Sequence, residues 1–440
     1  MSDTIFALSS GPPPSGVAVV RVSGPAARTG VETLTGSLPE PRRAALAIMH
    51  RGGEVIDRGL VLFFPGPQSF TGEDVVELHV HGGRAVIAAI LSALGELPGF
   101  RPAEPGEFTR RAFLNRKLDL TEVEGLADLA AAETEAQRRQ ALRVAGGGLR
   151  LRAEAWRKGL VRARAWVEAE LDFVDEADVP EAAGAHAMDD VAQIAHEIRA
   201  VLDDEHRGER IRDGAEIVVL GPPNAGKSSL INALARREVA IVTPEPGTTR
   251  DLVEVRLDLG GYPVTIVDTA GLRETEGLVE REGIRRARAR AAAADMVLWL
   301  GDVTVPVAPG PGDVAGRLLR VGTKADLVGE PSDHVALAEK FDVVISVVDG
   351  FGLDSLIDQL RRFVADELRP RESDLIVRAR HRAALTACAD ALDAARASPD
   401  QPGIRAEELR RAGDALGRLA GRIDVEDVLD AVFREFCIGK

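Results

Sequence analysis

The chain has two cysteines among its 440 residues, Cys388 and Cys437, which excludes a disulfide framework and a four-cysteine metal site. It also has no long apolar run: stretches such as Leu60 to Phe64 and Met296 to Leu300 fall far short of the ~18 residues a membrane-spanning helix needs. The first residues, MSDTIFALSSGPPP, show no basic start followed by an apolar core, so no secretory signal is expected. A cytoplasmic location, with no membrane contact, is the expectation from these absences. Positive charge is scarce as well, and a formal net charge of −15 argues against a surface that grips nucleic acid throughout, because phosphate binding needs clustered cations. Any RNA contact is expected to be local or shared with a partner. Lysine is scarcest of all, with six (Lys117, Lys158, Lys227, Lys324, Lys340, Lys440) against 49 arginines among the 55 basic residues. Arginine is therefore the default cation, and a lysine marks a place where a compact ammonium is wanted. The Arg-rich stretch from Arg281 to Arg290 reads as a solvated helix face.

What is present is a chain that is 45% hydrophobic and long enough for two to four domains. Residues 1–117 alternate short apolar runs (Gly16 to Val22, Leu60 to Phe64, Val75 to Val80) with Gly/Pro-rich turns, the pattern of an α/β domain. Residues 118–210 turn helical, with Trp156, Leu160, Val167 and Leu171 on one stripe. Residues 211–368 alternate buried-strand runs with helices, the signature of a doubly wound parallel sheet. Helical periodicity returns over 369–440. The fold class expected is α/β plus all-α, with a helical domain in two pieces and the doubly wound domain inserted between them. The run Ala308 to Asp313 is taken as a surface loop.

After the strand Glu216 to Leu220 comes Gly221-Pro222-Pro223-Asn224-Ala225-Gly226-Lys227-Ser228-Ser229, which satisfies G-x-x-x-x-G-K-[ST] and opens a helix. Such a loop curls so that its N–H groups and the helix N-terminus face phosphate, Lys227 reaches the β/γ oxygens, and the Ser228 hydroxyl ligates Mg²⁺. Three further elements follow in order. In Thr243-Pro244-Glu245-Pro246-Gly247-Thr248-Thr249 a threonine can ligate Mg²⁺ once a γ-phosphate is present. The strand Val264 to Val267 leads into Asp268-Thr269-Ala270-Gly271, where Asp268 can hold the Mg²⁺ shell and the Gly271 N–H can touch the γ-phosphate. The strand Leu318 to Gly322 leads into Thr323-Lys324-Ala325-Asp326, whose Asp326 can accept the N1 and exocyclic amino protons of guanine; Ile345-Ser346 fits the loop over the base. Together these specify a small GTPase domain with a P-loop. Leu272 follows Gly271, so the glutamine that orients water in Ras-like enzymes is missing from that place.

These residues and their flanks resemble the MnmE (TrmE) family of bacterial tRNA-modification GTPases. The flanking segments are Val20 to Gly24, Ser69 to Asp74, Ala103 to Thr109, Ala112 to Leu120, and the terminal Phe436-Cys437-Ile438-Gly439-Lys440. The resemblance implies an N-terminal folate-binding domain that dimerises the protein and a discontinuous helical domain carrying an inserted GTPase domain. It implies 5-formyl-tetrahydrofolate or a related folate as one-carbon source for modification of the tRNA wobble uridine, position 34. An FAD-dependent partner of the MnmG/GidA type would complete a heterotetramer. It further implies K⁺ held by Asn224, Thr243, Glu245 and Thr248, Mg²⁺ held by Ser228 and Thr249, and Glu280 as the general base acting on water. The folate positions carried over are Arg21, Glu77, Lys117 and Lys440: cations for the glutamate-tail carboxylates, and a carboxylate for the aminopyrimidine-like ring.

One departure stands out: Thr323 occupies the place where the family has asparagine. Asparagine can reach the base on one side and brace the phosphate loop on the other, whereas threonine is expected to reach less far. His79 and His81, two apart on one strand, could help bind a metal, but no third ligand is evident and a metal site is not expected there; Cys437 is open as nucleophile or packing residue. Two other functions fit the core motifs: a GTPase switch for ribosome assembly, and a scaffold that binds GTP without turnover.

Overall fold

The computed structural model describes residues 3–172, 181–237, 239–241, 254–268, 289–306, 316–328, 337, 339–369, 371, 374–423 and 439. The chain forms two compact units, each drawn from separated stretches: residues 1–127, 144–194 and 387–440 in one, residues 128–143 and 195–386 in the other.

In the first unit, period-two alternation builds a six-stranded sheet. Its strands are β1 (Thr4–Leu8), β2 (Ser15–Ser23), β3 (Ala45–Arg51), β4 (Glu54–Phe64), β5 (Val75–Gly82) and β6 (Phe100–Pro102), in the order β3-β4-β5-β2-β1-β6. All neighbours are antiparallel except β1 and β6. Ala18, Val20 and Val22 of β2 and Val76, Leu78 and Val80 of β5 point into a core closed by Val31, Ile90 and Leu94 from the helices Ala27–Thr35 and Arg84–Gly95. The intervening residues Arg21, Glu77 and His79 fall on the opposite face. Beside β1, the fully buried Arg111 bonds to Asp3, Glu73 and Glu107, and Arg101 grips Glu107 from a second direction. The helices Gly148–Asp172 and Pro402–Leu419 are in contact despite their separation in sequence, and the ion pair Arg405–Glu170 at 2.5 Å ties them. Trp156, Leu160 and Val167 are buried as their stripe requires. Leu171 is not: it lies in the last turn of its helix and is 40% exposed.

The second unit holds a six-stranded sheet of β7 (Ala215–Leu220), β8 (Glu254–Asp258), β9 (Pro263–Asp268), β10 (Met296–Asp302), β11 (Arg317–Thr323) and β12 (Val343–Val344), in the order β12-β11-β10-β7-β9-β8. Every pair is parallel except β8 with β9. The interior strands β7, β9 and β10 read as near-continuous apolar runs, as strands buried on both faces do. Ile217 and Val219 pack with Leu230, Ile231 and Leu234 of the helix Lys227–Ala235 and with Leu356 and Leu360 of the helix Leu353–Glu367. On the other side of β7, Val218 packs with Val267 and Val297. The order reverses around β7, so chain leaving the carboxyl ends of β7 and β10 diverges and opens a crevice, the usual ligand position in such sheets. Arg290, the described end of the arginine stretch, pairs with Glu216 and Glu254 and is not a free cation. The expected loop Ala308 to Asp313 lies outside the described residues.

Candidate functional site

At the carboxyl end of β7 the chain turns through residues 221–226 into the helix Lys227–Ala235. Two glycines are required here. A Cβ on Gly221 would stand 2.5 Å from the Leu300 carbonyl, and Gly226 has φ +89°. Asn224 also takes a left-handed conformation, φ 61°, which asparagine tolerates better than most residues, and its side chain is exposed on the loop. Inside the turn, Lys227 Nζ donates to the carbonyl oxygens of Gly221 at 3.0 Å and Pro222 at 2.9 Å. That ammonium lies against the loop while its residue is only 7% exposed. Ser228 Oγ donates to Asp268 Oδ2 at 2.8 Å, so the hydroxyl of the loop and the carboxylate ending β9 face one another. A hydroxyl and a carboxylate at this spacing suit a hard, oxygen-seeking cation such as Mg²⁺.

The end of β11 supplies a second group. Asp326 is exposed, and its Oδ1 accepts the Ser346 hydroxyl at 2.8 Å. Ser346 is fully buried, and its Oγ accepts from the backbone N–H groups of Val348 and Asp349. The loop after β12 thus orients the Asp326 carboxylate and leaves lone pairs on both oxygens for a ligand. Thr323 departs from the sequence expectation: its Oγ1 does reach the phosphate loop, 2.8 Å from the Ala225 carbonyl, with the Gly301 carbonyl at 3.3 Å. The reach comes from the parallel pairing of β10 with β11 and with β7, which brings the end of β11 beside the loop.

Asp302, at the end of β10, was not singled out by sequence reasoning. It takes the Lys324 ammonium at 2.5 Å and two donors from Thr304. Burial acts to raise its pKa, yet the Lys324 contact and the Thr304 donors outweigh it and hold the carboxyl below its ordinary value. The scarcity of lysine was the one signal pointing here, and only to Lys324.

In the first unit, Arg21 and Glu77 are directly opposed across β2 and β5 and pair at 3.0 Å. Phe70 and Phe108 lie 5.5 and 5.7 Å from the guanidinium, and Lys117 Nζ donates to the Pro67 carbonyl at 2.9 Å. The guanidinium, the carboxylate and the exposed Phe70 ring suit a flat ligand with hydrogen-bonding edges, while the fully buried Phe108 ring backs the guanidinium from the core. His79 and His81 take different carboxylates, Glu77 at 3.5 Å and Asp57 at 2.8 Å. Among the described residues no group of three His, Cys, Asp or Glu stands ready for a metal ion. Thr243, Pro244, Glu245, Pro246, Gly247, Thr248, Thr249, Thr269, Ala270, Gly271, Glu280, Cys437 and Lys440 lie outside the described residues.

Comparison with known proteins covers nearly the whole chain. Residues 4–117 match the family described as "GTP-binding protein TrmE N-terminus", and residues 120–437 match "MnmE helical domain". The chain is 52% identical over 442 residues to the tRNA modification GTPase MnmE of Brucella anthropi, covering 100% of this chain and 99% of that protein. It is 51% identical over 440 residues to the same-named protein of Brucella canis, covering 100% and 98%. Among solved structures, Era in complex with MgGDPNP and a segment of 16S ribosomal RNA is 24% identical over 34% of this chain and 56% of that one, with a TM-score of 0.28.

Proposed function

Because the chain belongs to the MnmE family of tRNA-modification GTPases, we propose that it hydrolyses GTP to drive conformational change during modification of the wobble uridine, position 34. The group added at C5 is of the carboxymethylaminomethyl type. The observation that supports this reading best is the gathering at the carboxyl ends of β7, β9 and β11 of the Lys227 loop, the Ser228–Asp268 pair and the Asp326–Ser346 pair. In this reading each of phosphate, cation and base has a fitting group among them.

In this reading the loop 224–229 cradles the phosphates, with Thr243 to Thr249 and Asp268 to Gly271 on the γ-phosphate side and Thr323, Lys324, Asp326 and Ser346 on the base side. Ser228 and Thr249 hold Mg²⁺, with Asp268 supporting Ser228. A Mg²⁺ held there would supply positive charge to the phosphate oxygens. Asn224, Thr243, Glu245 and Thr248 hold K⁺, which takes the place of an arginine finger, and Glu280 acts on the attacking water. These assignments at 243–249 and 280 rest on the family resemblance.

For the folate we propose Arg21, Glu77, Lys117 and Lys440. The Arg21–Glu77 pair supplies both a cation for carboxylate and an acceptor for ring amines, and the exposed ring of Phe70 lies beside it. Residues 1–117 are the folate-binding and dimerisation domain, 118–210 and 369–440 the helical domain, and 211–368 the GTPase domain. The partners are a second copy of the chain, an FAD-dependent modification protein and tRNA, in the cytoplasm. Among the described residues no helix is long and apolar enough to cross a membrane. The decisive test is nucleoside analysis of tRNA from cells lacking the gene: loss of the wobble-uridine modification is expected, and an unchanged level refutes the proposal.

A further inference from the structure

We infer that Thr323 positions the phosphate loop and takes no part in reading the base, so that guanine is selected through the Asp326 edge, with no donor from Thr323 to the five-membered ring. A threonine hydroxyl carries one hydrogen. Here two backbone carbonyls compete for it, Ala225 at 2.8 Å and Gly301 at 3.3 Å, and a carbonyl oxygen can only accept. The residue is 2% exposed, and its side chain packs beside Gly226. The hydroxyl can still accept through its lone pairs, but the N7 and O6 edge of guanine presents only acceptors. An asparagine amide has two hydrogens and could serve both loop and base; this threonine has none to spare.

The opposite holds at Asp326, which is exposed, is oriented by one bond from Ser346 to Oδ1, and keeps lone pairs on both oxygens for the N1 and amino protons. The inference rests on the proposed base-reading role of that loop.

Two consequences can be measured on the full-length protein by competition titration. The first concerns 7-deaza-GTP, in which a C–H replaces N7: it should bind within about twofold of GTP, since less than one neutral hydrogen bond is at stake. The second concerns Thr323→Val, which keeps the shape and removes the hydroxyl. It should weaken GTP and 7-deaza-GTP by the same factor, roughly three- to tenfold for one lost hydrogen bond, and Thr323→Ser should restore both. Thr323→Asn should tighten GTP by up to about tenfold while leaving 7-deaza-GTP behind.

Discrimination of tenfold or more against 7-deaza-GTP by the unmodified protein overturns the inference, as does a Thr323→Val protein that loses affinity for only one of the two nucleotides. If Thr323→Val does not fold, the comparison on the unmodified protein decides alone. Asp326→Asn, tested with GTP and XTP, separates the two levels of argument. A variant still preferring GTP shows the base-reading loop misplaced; a switch to XTP in the variant, combined with poor 7-deaza-GTP binding by the unmodified protein, sinks only the role given to Thr323.

Discussion

The hydroxyl of Ser9 donates to the carbonyl of Gly439 at 2.7 Å, across a sequence separation of 430 residues. Gly439 has φ +102°, and a Cβ there would come within 2.0 Å of the Leu8 carbonyl, so glycine alone fits against the end of β1. Leu8 is paired with Val20, one residue from Arg21. Gly439 is thereby seated at the end of β1, the strand paired with the one that carries a proposed folate contact.

Removing Gly439 and Lys440 should therefore weaken 5-formyl-tetrahydrofolate binding without unfolding the protein or abolishing GTP turnover. A charge-assisted hydrogen bond is worth about 1.5–3 kcal/mol, a loss of roughly tenfold or more in affinity. Calorimetry on the folded truncation checks this; unchanged affinity removes the terminus from the site.

GTP hydrolysis should run faster in K⁺ than in Na⁺ at equal ionic strength, and Glu280→Ala should slow turnover while leaving GTP affinity nearly intact. That split is expected of a group acting mainly in the transition state. Equal rates in the two salts would remove the K⁺ ligands, and a large loss of affinity would make Glu280 structural.

The Glu107 carboxyl sits between two guanidiniums. Burial acts to raise its pKa, but the bonds from Arg101, Glu104 N–H and Arg111 outweigh it and hold the carboxyl below its ordinary value. A depressed carboxylate contributes stability that is present above its unfolded pKa, about 4.3 for glutamate, and lost as pH falls through the folded value. Glu107→Gln should be less stable than the unmodified protein at pH 7, and the gap should close below about pH 4. Denaturant titrations across that range test it; a gap independent of pH contradicts the charge argument.

Cys388 is fully buried, and burial pushes its thiol up to about 12. In a Cys437→Ser background it should resist thiol reagents at pH 8 until the protein is unfolded, because the thiolate is the reactive form. Rapid labelling of the folded protein would show the helix Ala379–Arg396 opening around it.

The parts of this protein legible in sequence are those written in consecutive residues. The apolar run of β7 with its glycine loop, and the alternation of β2 and β5, needed only local periodicity. Thr323 was misjudged because its reach depends on the register of β11 beside β10, which no local pattern encodes. Asp302 escaped notice for the same reason, since its role exists only once Lys324 folds back onto β10. Arg21 and Glu77 were named separately, and their mutual pairing followed only from the β2–β5 register.

The contact of the helix Pro402–Leu419 with Gly148–Asp172, and of Gly439 with Leu8 and Ser9, bears on the order of events during synthesis. Every described strand of the second unit is made by Val344 and the unit closes at Thr386, whereas the first unit needs residues beyond 400 to complete its packing. At about 5–20 residues per second, and with domains folding largely as units, the sheet bearing the nucleotide loop is ready seconds before the N-terminal half has its last partners. A chain ending after Arg396 should keep a protease-resistant core over the second unit while the helix Gly148–Asp172 is cut. Equal resistance of both would show that the early-made half does not wait.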